Sequence, residues 1–351
     1  MNTLLQPITI SESENMQTLG FEANRAAESA VFAIYQDRRP INTQRGQRAG
    51  LKVFSKFLQT CGIMPTGDLY EDPNAWHGIT WGLCAAFQKW QLREGYSIKT
   101  INDRVSIVKV YMTLANSAGI IPDGEIIRLQ SLKGYTVKEG IDADAKRTKQ
   151  GLEIRKGTKK AKATTITEEQ AQALCKVKND MPQARRDALM MILLLDHGMR
   201  VSELAILKIE DINFQDRQMI FYRPKVGKWS THNLRGRAWQ RLCEYVQKDN
   251  RAESGPLILA SHKTGQLTPG KGMATRSIQD RVRHLGQGIG IEKLSPHDCR
   301  HYGATQAGHD PRVSLAGLMA FGGWASPSSA ARYIDHGDAE NDGVFLGLDD
   351  S

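Results

Sequence analysis

A basic stretch near the middle of the chain constrains the fold most, because it interrupts the apolar pattern on which a folded core depends. Between residues 138 and 165 apolar residues no longer recur at helical spacing, and cations outnumber acids. These cations include Lys146, Arg147, Lys149, Arg155, Lys156, Lys159, Lys160 and Lys162. Blocks of like charge are usually solvated and disordered. We therefore interpret residues 138–165 as a flexible basic linker that joins two folded domains of this 351-residue chain.

Residues 43–137, ahead of the linker, predict a small all-helical domain. Their apolar residues recur at the spacing of three and four that places side chains on one helix face. Two clear examples are Leu51, Phe54, Phe57 and Leu58, and then Ile101, Val105, Val108 and Met112, which follow a candidate N-cap at Ser97. We expect residues 1–42 to be only partly ordered, with one amphipathic helix possible over residues 21–35.

Residues 166–340, after the linker, predict a mixed α+β domain that is mostly helical. A capping-box pattern begins at Thr167, and a helix over residues 183–196 is ended by Gly198. Loose alternation over residues 211–223, a turn at 225–228 and a further strand predict a small antiparallel sheet. Beyond Gly236 the pattern is mainly helical. The acidic tail, residues 341–351, fits either a frayed terminus or a segment that docks on a neighbouring subunit.

Charge and cysteine content narrow the class of protein. The net charge of +9 is compatible with a polyanionic partner, although many basic proteins never bind nucleic acid. Five scattered cysteines without a Cys-x-x-Cys pair disfavour a disulfide framework and a zinc finger, and favour a reducing cytoplasm. The longest apolar run, residues 188–195, is too short for a membrane span, and no secretion signal is evident at Met1.

Five distant side chains carry chemistry that suits attack on a phosphodiester. His297 and Arg300 are three residues apart after the candidate N-cap Ser295, so both can reach one anion near a helix N-terminus. Arg200 adds a second guanidinium, and planar guanidinium groups hold phosphate oxygens in pairs. An indole donor and a phenol complete the set, which is Arg200, His297, Arg300, Trp324 and Tyr333.

At these motifs the chain resembles the tyrosine recombinases, or phage integrase family. The resemblance rests on Gly198-Met-Arg-Val-Ser-Glu-Leu204, Pro224-Lys-Val-Gly-Lys228, His297-Asp-Cys-Arg-His301, Gly322-Gly-Trp324 and Arg332-Tyr333. It implies that Arg200 and Arg300 form the arginine pair, that Glu203 supports the first arginine, and that Tyr333 is the nucleophile. Lys225, His297 and Trp324 fill the remaining catalytic positions, of which the last is histidine in many members.

The resemblance also implies a fold, an activity and partners. The first domain would be a helical core-binding (SAM-like) domain, and the second the catalytic domain with its small antiparallel sheet. The activity would be site-specific DNA recombination or integration, as in mobile elements, through a 3′-phosphotyrosyl intermediate and a free 5′ hydroxyl. It would need no metal, no ATP and no other cofactor. The expected partners are double-stranded DNA and three further copies of the chain on paired sites, in the cytoplasm and without a membrane.

Some assignments have competitors. Lys228 lies on the same turn as Lys225, and either ammonium could be the acid that protonates the leaving oxygen. Tyr302 and Tyr245 are alternative phenols, which we expect to pack in the core or on the surface. A type IB topoisomerase would share the phosphotyrosyl chemistry, and a non-catalytic DNA-binding regulator would share only the basic surface. A zinc site at His297, Cys299 and His301 is disfavoured because positions i and i+2 of a helix diverge.

Overall fold

A computed structural model describes residues 16–156, 163–249 and 254–334 of the chain. The chain forms two compact units, residues 1–159 and residues 160–351. The expected tail, residues 341–351, lies outside the described residues, as do the first fifteen residues and part of the expected linker, 157–162.

The first unit is all-helical. Its helices are α1 (Met16–Asp37), α2 (Ile41–Thr60), a 3-10 turn (Pro73–Trp76), α3 (Trp81–Arg93), α4 (Ile98–Ser117), α5 (Asp123–Ser131) and α6 (Val137–Lys149). Thr80 and Ser97 cap α3 and α4 by accepting hydrogen bonds from backbone amides three residues on. The apolar faces meet in an aromatic core, in which the Phe54 ring stacks on Trp76 with centroids 5.9 Å apart.

Two expectations for this unit need correction. Helix α1 begins at Met16, so more of residues 1–42 is ordered than the sequence pattern indicated. Helix α6 occupies the first part of the stretch that was expected to be a flexible linker, and Thr136 and Glu139 begin it with a capping box. The buried side chain of Arg147 donates to the carbonyl of Tyr96 at 2.9 Å. Arg147 is therefore hydrogen-bonded within the folded unit and is not solvated.

The second unit surrounds a buried helix. Its helices are α7 (Glu168–Leu174), α8 (Pro182–Leu195), α9 (Val201–Ile206), a 3-10 turn (Ile209–Asp211), α10 (Gly236–Lys248), α11 (Thr275–Gln287), α12 (Pro296–His309), α13 (Leu315–Gly322) and α14 (Pro327–Ala331). Helix α8 is buried on all sides from Arg185 to Leu195. A helix that is buried on every side forms the centre of the core, whereas an amphipathic helix packs on its surface.

Two antiparallel sheets complete the second unit. Strands β1 (Ile212–Asn213), β2 (Gln218–Arg223) and β3 (Lys228–Asn233) lie side by side in chain order. Strands β4 (Leu259–Ser261) and β5 (Leu267–Gly272) form a second hairpin within the region expected to be mainly helical. In β2 burial alternates, so that Met219, Phe221 and Arg223 face inward. This places Arg223 among the second unit's buried residues.

Close packing of α12 on α8 positions the site. A methyl group at Gly303 would lie 2.1 Å from the carbonyl oxygen of Leu195, so only glycine permits this approach of backbone to backbone. The approach brings the N-terminal half of α12 next to the loop that follows α8, where Gly198 and Arg200 lie. Among the described residues, no helix has the length and apolar character to cross a bilayer.

Candidate active site

Helix α12 presents the first group of site residues. Ser295 and Asp298 form a capping box, and the second carboxylate oxygen of Asp298 accepts a hydrogen bond from the Thr164 amide at 2.9 Å. The helix start is therefore fixed both locally and by the beginning of the domain. His297, Arg300 and His301, at positions i, i+3 and i+4, lie along one side of this first turn.

The C-terminal end of α13 gathers guanidinium groups. The last carbonyls of a helix have no partner within it and carry partial negative charge. Here the carbonyl of Phe321 accepts from Arg223 at 2.9 Å, that of Gly322 accepts from both Arg223 and Arg300, and that of Gly323 accepts from Arg200 at 3.3 Å. We call these three consecutive carbonyls the carbonyl cradle.

Gly323 makes the carbonyl cradle possible. It ends α13 in the left-handed conformation, with φ of 58°, which side chains other than glycine rarely adopt. A Cβ at this position would also lie 2.6 Å from the Cδ of Arg223. The Phe321-Gly-Gly-Trp324 motif thus turns its backbone toward the arginines and its indole toward the site.

Arg200 begins α9 and is held by Glu203. The fully buried carboxylate of Glu203 accepts from the Arg200 side chain at 2.6 Å and from the Arg200 backbone amide at 2.9 Å. The Arg200 side chain is 18% exposed, so it is partly accessible to a ligand. The supporting role expected of Glu203 corresponds to this contact.

Arg300, on α12, contacts the loop between α8 and α9. Its guanidinium donates to the carbonyls of Gly198 and Gly322 and lies 5.0 Å from the Trp324 ring. Burial, followed by the neighbouring charge of Arg200, lowers the pKa of Arg300 to about 10. Because Arg200 and Arg300 bond to adjacent carbonyls of one cradle, the structure brings the expected arginine pair together.

Tyr333 follows α14 and packs against the site. Its ring stacks on Trp324 with centroids 5.3 Å apart and planes inclined by 27°, and it lies 5.2 Å from the His301 ring. The residue is 7% exposed, and this burial raises the pKa of the Tyr333 phenol, whereas the charges of Arg332 and Arg300 act in the opposite direction. The phenol is thus protonated at rest beside cations that favour the phenolate.

His297 is exposed at the start of α12. Its Nε2 lies 3.1 Å from the Nε2 of His301, so one ring donates and the other accepts. Partial burial lowers the pKa of His297, and the charges of Arg300, Arg332 and Lys225 lower it further, against the opposing effect of Asp298. The imidazole is therefore neutral at pH 7 and able to accept a proton.

The two hairpin lysines are both exposed. Lys225 lies in the turn between β2 and β3, and Lys228 is the first residue of β3, paired with Arg223. Lys225 is close enough to His297 for its charge to lower the pKa of that imidazole, which favours Lys225 as the residue that faces the site.

The competing tyrosines are held by packing, Tyr245 within the core and Tyr302 partly buried against it. The hydroxyl of Tyr245 donates to the carbonyl of Leu257 at 3.1 Å, and Tyr302 packs against the main core of the second unit. Within the described part of the chain, no group of three or more His, Cys, Asp or Glu side chains could hold a metal ion.

Two site residues were missed from the sequence, Arg223 and His232. Arg223 is fully buried and donates to His232 Nε2 at 3.1 Å, and His232 lies between the rings of Phe221 and Phe321. Burial, with the charges nearby, lowers the pKa of His232 to about 3, so the ring is neutral and accepts this bond. The alternation in β2 could have indicated Arg223, because it places this residue on the same inward face as Met219 and Phe221.

Comparisons with known proteins agree with this geometry. Residues 164–340 match the family model of the phage integrase family. The chain is 28% identical to tyrosine recombinase XerA of Pyrococcus horikoshii over 188 residues, which cover 53% of this chain and 61% of that protein. It is 24% identical to tyrosine recombinase XerC of Roseiflexus castenholzii, with 83% of each covered. It is 32% identical to the type 1 fimbriae regulatory protein FimB of Escherichia coli, with 43% of this chain and 76% of that protein covered.

Solved structures share the fold. The Tn1549 transposon integrase in complex with transposon right end DNA superposes with a TM-score of 0.60 at 14% identity, covering 90% of this chain and 96% of that one. A lambda integrase dimer bound to a COC′ core site superposes with a TM-score of 0.58 at 13% identity, covering 94% and 83%. The expected combination of a helical domain with a mostly helical domain containing small antiparallel sheets is therefore confirmed.

Proposed function

We propose, because this chain belongs to the phage integrase family, that it is a site-specific DNA recombinase that cuts and rejoins strands through a 3′-phosphotyrosyl intermediate. The observation that carries the proposal is the shared carbonyl cradle, which holds Arg200 and Arg300 side by side next to the Trp324–Tyr333 stack. Two adjacent guanidinium groups beside a phenol match the needs of a phosphoryl transfer to tyrosine.

The first step exchanges one phosphate ester for another. The Tyr333 oxygen attacks phosphorus, the bond from phosphorus to the 5′ oxygen breaks, and the strand remains attached by its 3′ phosphate. His297 accepts the phenolic proton, and Lys225 delivers a proton to the departing 5′ oxygen. A 5′ hydroxyl of another strand reverses these transfers. One ester bond forms for each that breaks, so the cycle requires no nucleotide energy.

Arg200 and Arg300 stabilise the charge that develops on the nonbridging oxygens. Their fixed carbonyl contacts orient both groups before DNA arrives, so little reorganisation is needed during reaction. Loss of one preorganised donor of this kind typically costs about 3–4 kcal/mol of transition-state stabilisation. Trp324 contributes a rigid apolar wall and one indole N–H.

Double-stranded DNA is the proposed partner, and a homotetramer on paired sites is the proposed assembly. The net charge of +9 supports a polyanionic partner. Lambda integrase has been solved as a dimer on a core site and as a tetramer bound to a Holliday junction, and its fold is shared. We propose that the chain acts in the cytoplasm, on the nucleoid when bound, in DNA integration or exchange.

A nicked suicide substrate tests the function. Cleavage next to a nick releases the short fragment that carries the free 5′ hydroxyl and leaves the protein trapped on DNA, which a denaturing gel detects. Trapping followed by joined products from two duplexes supports recombination. Relaxation of supercoils without joined products would instead support a type IB topoisomerase, and specific binding without any adduct would support a DNA-binding regulator.

The variants Tyr333→Phe and Tyr302→Phe form a matched pair for this assay. Each removes one hydroxyl, from a buried phenol at Tyr333 and from a partly buried one at Tyr302. We expect no adduct with Tyr333→Phe and an adduct at the wild-type level with Tyr302→Phe. An adduct that persists in Tyr333→Phe would show that another residue is the nucleophile.

A further inference from the structure

We propose that Arg223 is a positioning residue that orients both arginines of the phosphate clamp and preserves their positive charge. The inference rests on the proposed function and extends it to a residue that does not touch the substrate. Arg223 is fully buried at the end of β2, two residues before Lys225. It therefore acts through its neighbours.

One set of contacts links Arg223 to Arg200. The Nη1 of Arg223 donates to both carboxylate oxygens of Glu203, at 3.4 and 3.3 Å, and the Arg200 side chain donates to one of them at 2.6 Å. Glu203 is thus shared between two guanidinium groups. By holding the Glu203 carboxylate, Arg223 also holds the group to which Arg200 is bonded.

A second set of contacts links Arg223 to Arg300. Arg223 donates to the carbonyl of Phe321 at 2.9 Å and to that of Gly322 at 3.4 Å, and Gly322 also accepts from Arg300. Arg223 therefore fixes the first two carbonyls of the carbonyl cradle, and Arg300 and Arg200 bond to the second and third. One buried side chain holds the supports of both clamp arginines.

The charges in this cluster explain why an arginine is needed there. Glu203 alone would neutralise much of the charge of Arg200, because the two lie within 2.6 Å of each other. With Arg223 present, the cluster holds three guanidinium groups and one carboxylate, so positive charge remains to attract a phosphate. A buried carboxylate with two cationic partners also avoids the cost of an unpaired buried charge.

The remaining contacts keep Arg223 from rotating away. Its Nε donates to the Ser230 hydroxyl at 2.8 Å, and its Nη2 donates to the neutral ring of His232 at 3.1 Å. The Arg223 Cζ also lies 4.7 Å from the centroid of the Phe221 ring. The guanidinium is thus bonded along all its edges to β3, α9 and the end of α13.

The substitution Arg223→Met tests the proposal by removing the charge while keeping an apolar chain of similar length. Arg186→Met is the matched control, because Arg186 is also buried and bonds to a buried carboxylate, Asp187 at 2.6 Å, and to a carbonyl, that of Leu259 at 2.8 Å. Both variants should lose stability. Only Arg223→Met should reduce the single-turnover rate of adduct formation, by about 10²–10³-fold, with DNA affinity changed only a few-fold.

A charge-rescue variant separates electrostatics from packing. Glu203→Gln combined with Arg223→Met removes one negative and one positive charge, so the clamp regains its net charge. We expect this double variant to recover about tenfold in adduct rate over Arg223→Met, and Arg223→Lys to recover part of the rate as well. The proposal is overturned if Arg223→Met matches Arg186→Met in rate, or if the double variant is no faster than Arg223→Met.

A binding measurement without DNA tests the positioning role of Arg223 independently of recombination. Inorganic phosphate is titrated against the labelled full-length protein while the arginine Nε–Hε signals are followed by NMR. Arg223→Met should weaken phosphate binding and the double variant should restore it, whether or not the wild type forms an adduct. Equal phosphate affinity in wild type, Arg223→Met and Arg186→Met would refute the positioning role even if recombination is observed.

Discussion

The indole of Trp324 stacks on the phenol of Tyr333 at 5.3 Å between ring centroids, and the guanidinium of Arg300 lies 5.0 Å from the same indole. Trp324 therefore separates and aligns the proposed nucleophile and one half of the clamp. Its ring is a spacer whose size and flatness matter as much as its N–H.

Replacing Trp324 with phenylalanine and with alanine should distinguish these contributions. Trp324→Phe keeps a flat but smaller ring against Tyr333 and loses the indole N–H, so we expect a moderate loss of adduct rate. Trp324→Ala removes the stack, and large-to-small changes of this kind cost about 3–5 kcal/mol when fully buried, somewhat less for this partly exposed ring. Single-turnover cleavage and urea unfolding measure the two effects. Equal rates in the two variants would contradict a spacing role for the ring.

Glycine should be required at position 323 both for its backbone conformation and for the space that it leaves to the Arg223 side chain. Gly323 and Gly290 both have positive φ, 58° and 81°, but only at Gly323 would a Cβ meet another group, the Arg223 side chain. Each alanine substitution should cost about 1–2 kcal/mol of backbone strain. Gly323→Ala should in addition abolish most adduct formation by displacing Arg223, whereas Gly290→Ala should cleave at nearly the wild-type rate. Similar activities in both variants would argue against the carbonyl cradle.

The cleavage rate should stay close to its neutral-pH value in mildly acidic solution. His297, the proposed base, can accept a proton only when neutral, and burial together with nearby cations lowers its pKa below the ordinary 6.5. The cleavage rate should therefore fall only below pH 6.5, as the pH drops through the lowered pKa of His297. Arg332→Gln removes one of these cations and should move the acid limb of the pH–rate profile upward. A profile that is unchanged in Arg332→Gln, or a limb above pH 6.5 in wild type, would exclude His297 as this base.

Acid should destabilise the second unit through His232. The pKa of His232 is about 3 in the folded protein and near 6.5 in an unfolded chain, so below pH 6.5 only the unfolded state binds the proton. The stability contributed by the neutral ring is complete above pH 6.5 and is lost as the pH falls toward 3, at up to about 1.4 kcal/mol per pH unit.

Urea unfolding between pH 7.5 and 4.5 measures this loss. His232→Gln keeps an acceptor for Arg223 but does not titrate, so its stability should depend less on pH than that of wild type. His284→Gln removes an exposed histidine and should keep the wild-type dependence. Equal pH dependence in His232→Gln and wild type would assign the effect to other groups.

The leaving-group acid can be identified with a sulfur substrate. A 5′-bridging phosphorothiolate releases a thiolate, which needs no proton, so loss of the acid should no longer slow cleavage. Lys225→Ala should be slow on ordinary DNA and near normal on the sulfur substrate, whereas Lys228→Ala should behave like wild type on both. The reverse pattern would exchange the roles of the two lysines.

Local patterns accounted for most of the helices and for the family. The helical spacing of Leu51, Phe54 and Phe57, the Ser295 N-cap and the Gly198 stop each depend on contacts within a few residues, which the sequence displays directly. The same holds for the motifs around Arg200, Arg300 and Trp324. The pattern over residues 138–149 predicted a solvated linker because it could not show that Arg147 donates to carbonyls some fifty residues away.

The sequence by itself determined which side chains are available for chemistry and the order in which they occur. Only the tertiary structure decided that Arg223, nearly a hundred residues from Phe321 and Gly322, would fix the carbonyls on which the clamp arginines rest. The physical reason is that a helix end leaves its carbonyls without partners, and which distant cations reach them depends on how α9, α12, α13 and β2 pack.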